Sequence, residues 1–203
     1  MSATIAFDNG LVMDFSPLTT KVSDEQFTEL CRRNPNLRIE LTSEGDLIIM
    51  PPTGGKTGAQ NFYLTGKFFA WVEKDGTGKG FDSSTEFTLP NGAKRSPDVS
   101  WIRSERWNAL SVEERETFPP LCPDFVIELR SQSDRLKELQ LKMEEYMANG
   151  SALGWLIDPF DRKIDVYRPR TPVEVLDNPG EISGEPLLKG FVLDVQSLWR
   201  AGD

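Results

Sequence analysis

Two carboxylates stand out because each lies in or beside an apolar strand. Asp98 occurs in the stretch RSPDVSW, and Glu128 ends the apolar run of PDFVIEL. Burying an unpaired carboxylate is costly unless a charge or hydrogen bonds compensate it. A divalent cation such as Mg²⁺ provides that compensation, since one or two carboxylates often hold it together with water and phosphate. The two acids therefore form a candidate metal site.

Each acid also has a purely structural interpretation. Asp98 follows a proline and can cap a turn, whereas Glu128 can pair with Arg130 or Arg135 at the edge of a sheet. The pair is more informative than either acid, because both follow the same pattern of proline or apolar lead, strand and acid. Composition and spacing alone leave the choice between a metal site and ion pairs open.

Lys142 lies in the segment DRLKELQLKMEEYMAN, which has the spacing of an amphipathic helix. It comes three residues after Leu139 and four before Tyr146, so it falls on or beside the buried stripe, unlike Lys137. Its amine can therefore point over the sheet toward the strand ends. The alternative is a lysine that buries its stem and carries its charge outward to water.

The chain contains no histidine, which removes Ser-His-Asp triads, Cys-His pairs and zinc sites that use imidazole. Cys31 and Cys122 lie far apart without metal-ligand spacing, and we interpret both as reduced core residues. Any catalysis must then rest on carboxylates, lysine, hydroxyl groups and a hard metal ion. The formal net charge of −9 argues against a protein that coats nucleic acid through excess Lys and Arg.

The length and the hydropathy pattern set the domain organisation. A chain of 203 residues predicts one domain over 1–203, with a core over about 23–168 and a C-terminal extension over 169–203. No apolar run approaches the roughly 18 residues that span a bilayer, so we expect no membrane partner. The first ten residues lack the basic start and apolar core of a signal peptide, which predicts a cytoplasmic protein.

Hydrophobic periodicity predicts an α/β fold. Helices are expected over about 23–34 and over 134–149, and a third helix contains the apolar positions from Phe62 to Val72 and stops near Gly76. The helix over 134–149 lies between two buried strands as a crossover, so the sheet should be mixed with helices on its faces. The strands are predicted in LRIELT, DLIIM, KGFDSSTEFT, PDVSWI, DFVIEL, ALGWLID and KIDVY. Packing rather than base stacking is the role predicted for Trp101, Trp107, Trp155 and Trp199.

Five stretches, in this order, carry a resemblance to a known family: RIELTSEGDLIIMPPTGG, RSPDVSWI, PDFVIELRSQSD, LKMEEYMANG and LGWLIDP. Together they resemble the bacterial Uma2 family, formerly DUF820, over about residues 23–199. The resemblance implies the restriction endonuclease-like fold of the PD-(D/E)xK nucleases, with a central mixed β-sheet flanked by α-helices. It also implies metal-dependent hydrolysis of phosphodiester bonds in nucleic acid, expected to be DNA, with Mg²⁺ or Mn²⁺ as the cofactor.

The same resemblance implies roles for single residues. Asp98 and Glu128 match the family's metal-binding acids, and Glu40 in RIEL matches a further acid that completes the site. Arg130 stands where the general nuclease motif has a lysine, and Lys142 occupies the place of the catalytic lysine on the following helix. Because a guanidinium group stays protonated, Arg130 suits a second contact to phosphate better than activation of water.

Two alternatives to an active nuclease remain open. The acidic composition, the arginine at position 130 and the lack of a basic stripe favour a catalytically inactive nuclease-like fold that serves as a binding or assembly module. In the other alternative, the acids form structural ion pairs only. A homodimer is the expected assembly, because nucleases often use two subunits to address both strands, and the segment 169–190 is its candidate contact.

Overall fold

The structure, a computed structural model, describes residues 4–6, 12–14 and 22–203. In this part of the chain no helix has both the length and the apolar character needed to cross a bilayer. The helices are α1 (Asp24–Arg33), α2 (Gly55–Asp75), α3 (Ser104–Ala109), α4 (Val112–Glu116), α5 (Leu136–Ala148) and α6 (Val195–Arg200). The strands are β1 (Thr4–Ala6), β2 (Val12–Asp14), β3 (Arg38–Leu41), β4 (Leu47–Met50), β5 (Gly78–Asp82), β6 (Phe87–Thr88), β7 (Lys94–Arg95), β8 (Val99–Arg103), β9 (Phe125–Leu129), β10 (Leu153–Asp158), β11 (Lys163–Tyr167), β12 (Glu174–Asp177), β13 (Glu181–Ser183) and β14 (Val192–Asp194).

The described residues form two compact units, of which the smaller contains those up to residue 52 together with 92–94. Its helix α1 begins at a capping box in which the Ser23 hydroxyl accepts from the Gln26 N–H and the Gln26 side chain accepts from the Ser23 N–H. Strands β3 and β4 pair antiparallel around Gly45, which adopts a φ of 94°. Glycine reaches this left-handed region without strain. The helix and the hairpin are confirmed where the sequence predicts them.

The larger unit, residues 53–91 and 95–203, is built on a six-stranded sheet of order β12-β11-β10-β9-β8-β5. Strands β9 and β10 run parallel, and the other neighbours pair antiparallel. Helix α5 joins the parallel pair as a crossover and packs on β9, β10 and β11. The predicted α/β fold with a mixed sheet and flanking helices is therefore confirmed.

The two faces of this sheet are covered by different helices. Ile127 of β9 belongs to the hydrophobic cluster that contains Leu64 and Phe68 of α2. The opposite face meets α5, because a β-carbon at Gly154 of β10 would contact the side chains of both Met143 and Val126. Successive residues of a strand point to opposite faces, so the alternation along β9 directs Ile127 to α2 and its neighbours to α5.

The C-terminal segment contributes to the core, although the sequence predicts an extension outside it. Strand β12 is the edge strand of the six-stranded sheet, β13 and β14 pair with each other, and α6 packs on α2. The ring of Phe191 stacks on that of Trp155 with 5.7 Å between centroids. Gly and Pro interrupt this segment so often that no periodic pattern reveals its apolar residues. Those that join the cluster are Ile182, Leu188, Phe191, Leu193, Val195, Leu198 and Trp199.

The tryptophans have the packing role that the sequence predicts. Trp101, Trp155 and Trp199 are each buried to at least 96% of their surface. Trp107 of α3 lies against the ring of Phe81 with 5.1 Å between centroids. The burial of Trp101, Trp155 and Trp199 leaves these three indoles unavailable for stacking on a base.

Gly78 of β5 occupies a position that has no room for a side chain. A β-carbon there would clash with the indole of Trp101 and lie 2.5 Å from the backbone oxygen of Ile102. We expect Gly78→Ala to lower the free energy of unfolding by about 3 kcal/mol, because a packed core relaxes poorly around an inserted methyl group. Urea denaturation monitored by fluorescence measures this change.

The matched control is Gly66→Ala on α2, where a β-carbon meets nothing within 4 Å. Alanine has a higher helix propensity than glycine, so the free energy of unfolding of this variant should rise by about 1 kcal/mol. Equal unfolding midpoints for the two variants would contradict the packing described around Trp101.

Candidate active site

Asp98 lies beside the start of β8 and Glu128 lies near the end of β9, and these two strand ends adjoin in the six-stranded sheet. We call this place the strand edge. Val99 of β8 pairs with Ile127 of β9 in the antiparallel ladder, so the start of β8 meets the end of β9. Asp98 immediately precedes Val99, and Glu128 immediately follows Ile127. The Oδ2 atom of Asp98 accepts a hydrogen bond of 2.8 Å from the N–H of Leu129. Two acids that are 30 residues apart in sequence therefore lie at adjoining ends of neighbouring strands.

Glu128 is buried, with 6% of its side chain exposed, and two groups of α5 bind its carboxylate. The Nζ atom of Lys142 lies 2.8 Å from Oε1 of Glu128, and the Tyr146 hydroxyl donates to the same oxygen at 2.9 Å. Residues four apart on a helix share one face, which explains how α5 presents both groups together. The Lys142 side chain is itself only 11% exposed. Its ammonium group therefore points to the acid rather than out to water.

Asn61 of α2 contacts the other acid. Its Nδ2 atom donates to Oδ1 of Asp98 at 3.3 Å. The Oδ1 atom of Asn61 is buried and finds no hydrogen-bond partner among the described residues. A buried acceptor without a partner costs about 1–3 kcal/mol, so this atom calls for an explanation. Helical spacing marks Tyr146 only as a member of the buried stripe of α5, and no pattern in the sequence marks Asn61.

Arg130 lies at the same edge, next to the end of β10. Its Nη1 atom is 2.7 Å from Oδ2 of Asp158, and its guanidinium group lies over the Phe160 ring at 5.3 Å from the centroid. The Arg130 N–H also donates to the backbone oxygen of Ile157. Arg130 thus forms an ion pair with Asp158 and not with Glu128. Its predicted contact with phosphate stays a prediction.

Glu40 belongs to the smaller unit, where it is buried on β3 with 2% of its surface exposed. Its predicted part in completing the site stays a prediction. Among residues 22–203 no group of three or more Asp, Glu or Cys side chains is placed to hold a metal ion.

Cys122 offers no nucleophile. Neither Cys31 nor Cys122 forms a disulfide, and Cys122 is buried with its Sγ atom 3.3 Å from the Ser151 hydroxyl oxygen. Burial raises the pKa of the Cys122 thiol to about 11, because a thiolate is poorly solvated there. The thiol is therefore protonated at neutral pH and inert.

Comparisons with known proteins assign the family. The model of the Uma2 family, described as "Putative restriction endonuclease", matches residues 24–196. The chain belongs to the Uma2 family. Among solved structures, it is similar to one titled as the crystal structure of a "putative nuclease belonging to DUF820" from Anabaena variabilis. The two chains are 23% identical, with 81% of this chain and 91% of that chain covered and a TM-score of 0.69. No curated protein gives a significant match.

Uma2 membership and the restriction endonuclease-like fold are thus confirmed. The family match extends over both sides of the candidate site, since it includes α2, the edge formed by β8 and β9, and α5. At 23% sequence identity, the similarity to the solved structure supports the fold and not the roles of single residues. The catalytic and metal-binding roles of Asp98, Glu128, Lys142 and Arg130 stay predictions.

Proposed function

We propose that this Uma2 protein is a metal-dependent endonuclease that hydrolyses phosphodiester bonds, with DNA as its substrate. One observation supports the proposal most directly: a buried ammonium group lies 2.8 Å from one of two acids at a shared strand edge. The family description and the nuclease-titled structural neighbour agree with this class of reaction. Nucleic acid is therefore the proposed partner.

The donor atoms at the edge fit a hard divalent cation. Asp98 and Glu128 offer carboxylate oxygens, and the chain has no imidazole to favour zinc or copper. Mg²⁺ binds through one or two carboxylates and keeps waters that a phosphate oxygen can replace. A bound Mg²⁺ or Mn²⁺ polarises the scissile phosphate and lowers the pKa of an attacking water. Asp98 and Glu128 are the residues that would hold it.

The other groups at the strand edge orient the two carboxylates and balance negative charge. The N–H of Leu129 fixes the Asp98 carboxylate, and the Tyr146 hydroxyl fixes that of Glu128. Such fixed partners reduce the reorganisation needed when substrate binds. Lys142 has a compact charge beside Glu128, which suits it to position water or to stabilise charge on the phosphate. Arg130, paired with Asp158, adds a second cation at the same edge.

A cleavage assay tests the proposal. Purified protein is incubated with supercoiled plasmid, single-stranded DNA or RNA of one sequence, each with Mg²⁺, Mn²⁺ or a chelator. We expect nicking or linearisation of the plasmid with either cation and none with the chelator. Cleavage that survives chelation would refute metal dependence, and cleavage of RNA alone would refute DNA as the substrate.

A second candidate function is a nuclease-like module that binds a partner without cutting it. The ion pair between Arg130 and Asp158 favours this candidate. Arg130 stands where the general nuclease motif has a lysine, and its charge is already paired with a carboxylate. Calorimetric titration with Mn²⁺ separates the two functions, because a binding module needs no cation. Sedimentation equilibrium tests the proposed homodimer in the same preparation.

A further inference from the structure

Only one of the two polar atoms of the Asn61 side-chain amide forms a hydrogen bond among the described residues. Its Nδ2 atom donates to Asp98, whereas its buried Oδ1 atom has no hydrogen-bond partner in the part of the chain that the structure describes. Buried polar atoms of native proteins nearly always find a partner, and an exception calls for an explanation such as a functional role, strain, or a bound water or ion. The unsatisfied atom is an oxygen, and it belongs to a side chain in contact with one of the two acids of the candidate site.

Asn61 and Lys142 belong to helices that cover opposite faces of the sheet. Asn61 is carried by α2, whose buried residues Leu64 and Phe68 pack with Ile127, whereas Lys142 is carried by α5. The site therefore lies between two helices, with Asn61 on the side of Asp98 and the ammonium group on the side of Glu128.

We propose that Asn61 supplies the third protein oxygen to the divalent cation held by Asp98 and Glu128, an inference that rests on the proposed function. A half-turn about the Cβ–Cγ bond of Asn61 exchanges its nitrogen and its oxygen. Without a cation, the nitrogen faces Asp98 and stabilises its negative charge. With a cation, the oxygen faces the ion, and amide oxygens are ordinary ligands of hard cations.

The neutral amide suits both states better than a third acid. A carboxylate at position 61 would repel Asp98 whenever the cation is absent. The amide instead donates to Asp98 in that state, as the 3.3 Å contact shows. This dual use distinguishes a ligand from a residue that only positions Asp98, because a positioning residue needs its N–H in both states.

Calorimetric titration of the full-length protein with Mn²⁺ tests the inference. Asn61→Leu removes both amide atoms, and we expect the Kd for Mn²⁺ to rise about tenfold or more. Asn61→Asp keeps an oxygen ligand but removes the N–H. We expect its Kd to stay within about threefold of wild type or to fall, while its Tm without metal decreases because two carboxylates then face each other.

The matched control is Gln140→Leu. Gln140 of α5 also donates its side-chain amide to a partly buried carboxylate, with 3.2 Å between its Nε2 atom and Oδ2 of Asp165. That acid lies on β11, three strands away from β8. The control should bind Mn²⁺ as wild type does.

The outcomes separate the two proposals. If wild type binds Mn²⁺ and Asn61→Leu binds it equally well, Asn61 is no ligand although the metal-dependent function stands. If Asn61→Asp weakens binding as much as Asn61→Leu does, the N–H is what matters and the ligand role is wrong. If wild type binds no Mn²⁺, both proposals fail. Should Asn61→Leu not fold, the comparison of Asn61→Asp with wild type decides by itself.

Discussion

Asp98→Asn should abolish Mg²⁺-dependent cleavage while the protein stays folded. The variant loses the charge and one of the two oxygens with which Asp98 would bind the cation. Charge stabilisation by a metal ion contributes several kcal/mol to catalysis, and each 1.36 kcal/mol is a factor of ten, so we expect kcat/KM to fall about a thousandfold or more. Initial rates of plasmid nicking measure this loss.

Stability should change by less than about 1 kcal/mol, because an asparagine at position 98 can form hydrogen bonds with both Leu129 and Asn61. Its carbonyl oxygen can still accept from the N–H of Leu129. Its new NH₂ group would face Asn61, whose buried oxygen has no partner among the described residues. A half-turn of the Asn61 amide then forms an N–H···O bond in place of the present one.

Asp165→Asn is the control for this variant. Asp165 accepts an amide N–H from a helix much as Asp98 does, but it lies on β11, away from the edge formed by β8 and β9. It should cut at the wild-type rate. Unaltered cleavage by Asp98→Asn would remove Asp98 from the site. Loss of folding together with activity would favour a structural role for this acid.

Local patterns in the sequence predicted most elements of the larger unit. The apolar runs of β9 and β10 and the amphipathic stripe of α5 placed a crossover between two buried strands, and the structure contains it. Helix α3 was missed because its N-cap, Arg103, makes no side-chain cap hydrogen bond and therefore leaves no capping signal. The tail was underestimated because its buried residues come from elements of only three to six residues.

The sequence predicts only part of the candidate site. Apolar flanks reveal that Asp98 and Glu128 are near buried strands, and helical spacing places Lys142 on the buried side of α5. Partners that depend on how elements pack leave no such trace. Arg130 and Asp158 are 28 residues apart, and their ion pair requires β9 to lie beside β10 in parallel register. The contact of Asn61 likewise depends on the rotation of α2 about its axis.

Replacing Lys142 is the second variant for which we expect a large effect. Lys142→Met keeps the length and apolar stem of the side chain but leaves Glu128 without its ammonium partner. Removing one member of a buried ion pair costs about 3–5 kcal/mol, so urea denaturation without metal should show a loss of this size. Cleavage should fall about 100-fold or more, as expected when a group that positions water or balances phosphate charge is removed.

The control for this variant is Lys137→Met, since Lys137 is exposed on the same helix. It removes a charge of the same kind without contact to Glu128, so unfolding and cleavage should both match wild type. A similar loss in both lysine variants would trace the effect to the net charge of α5 rather than to the ion pair.

Mn²⁺ decides whether the ion pair of Glu128 and Lys142 is structural or belongs to a metal site. A cation at 100 times its Kd stabilises the folded state by about 2.7 kcal/mol. In Lys142→Met the gain should be larger than in wild type, because the cation then compensates a buried carboxylate that has lost its ammonium partner. If the pair is structural only, the variant will be destabilised and Mn²⁺ will raise the Tm of neither protein. The size of the Mn²⁺-dependent shift in Tm, compared between the two proteins, therefore tests the metal site without relying on any cleavage assay.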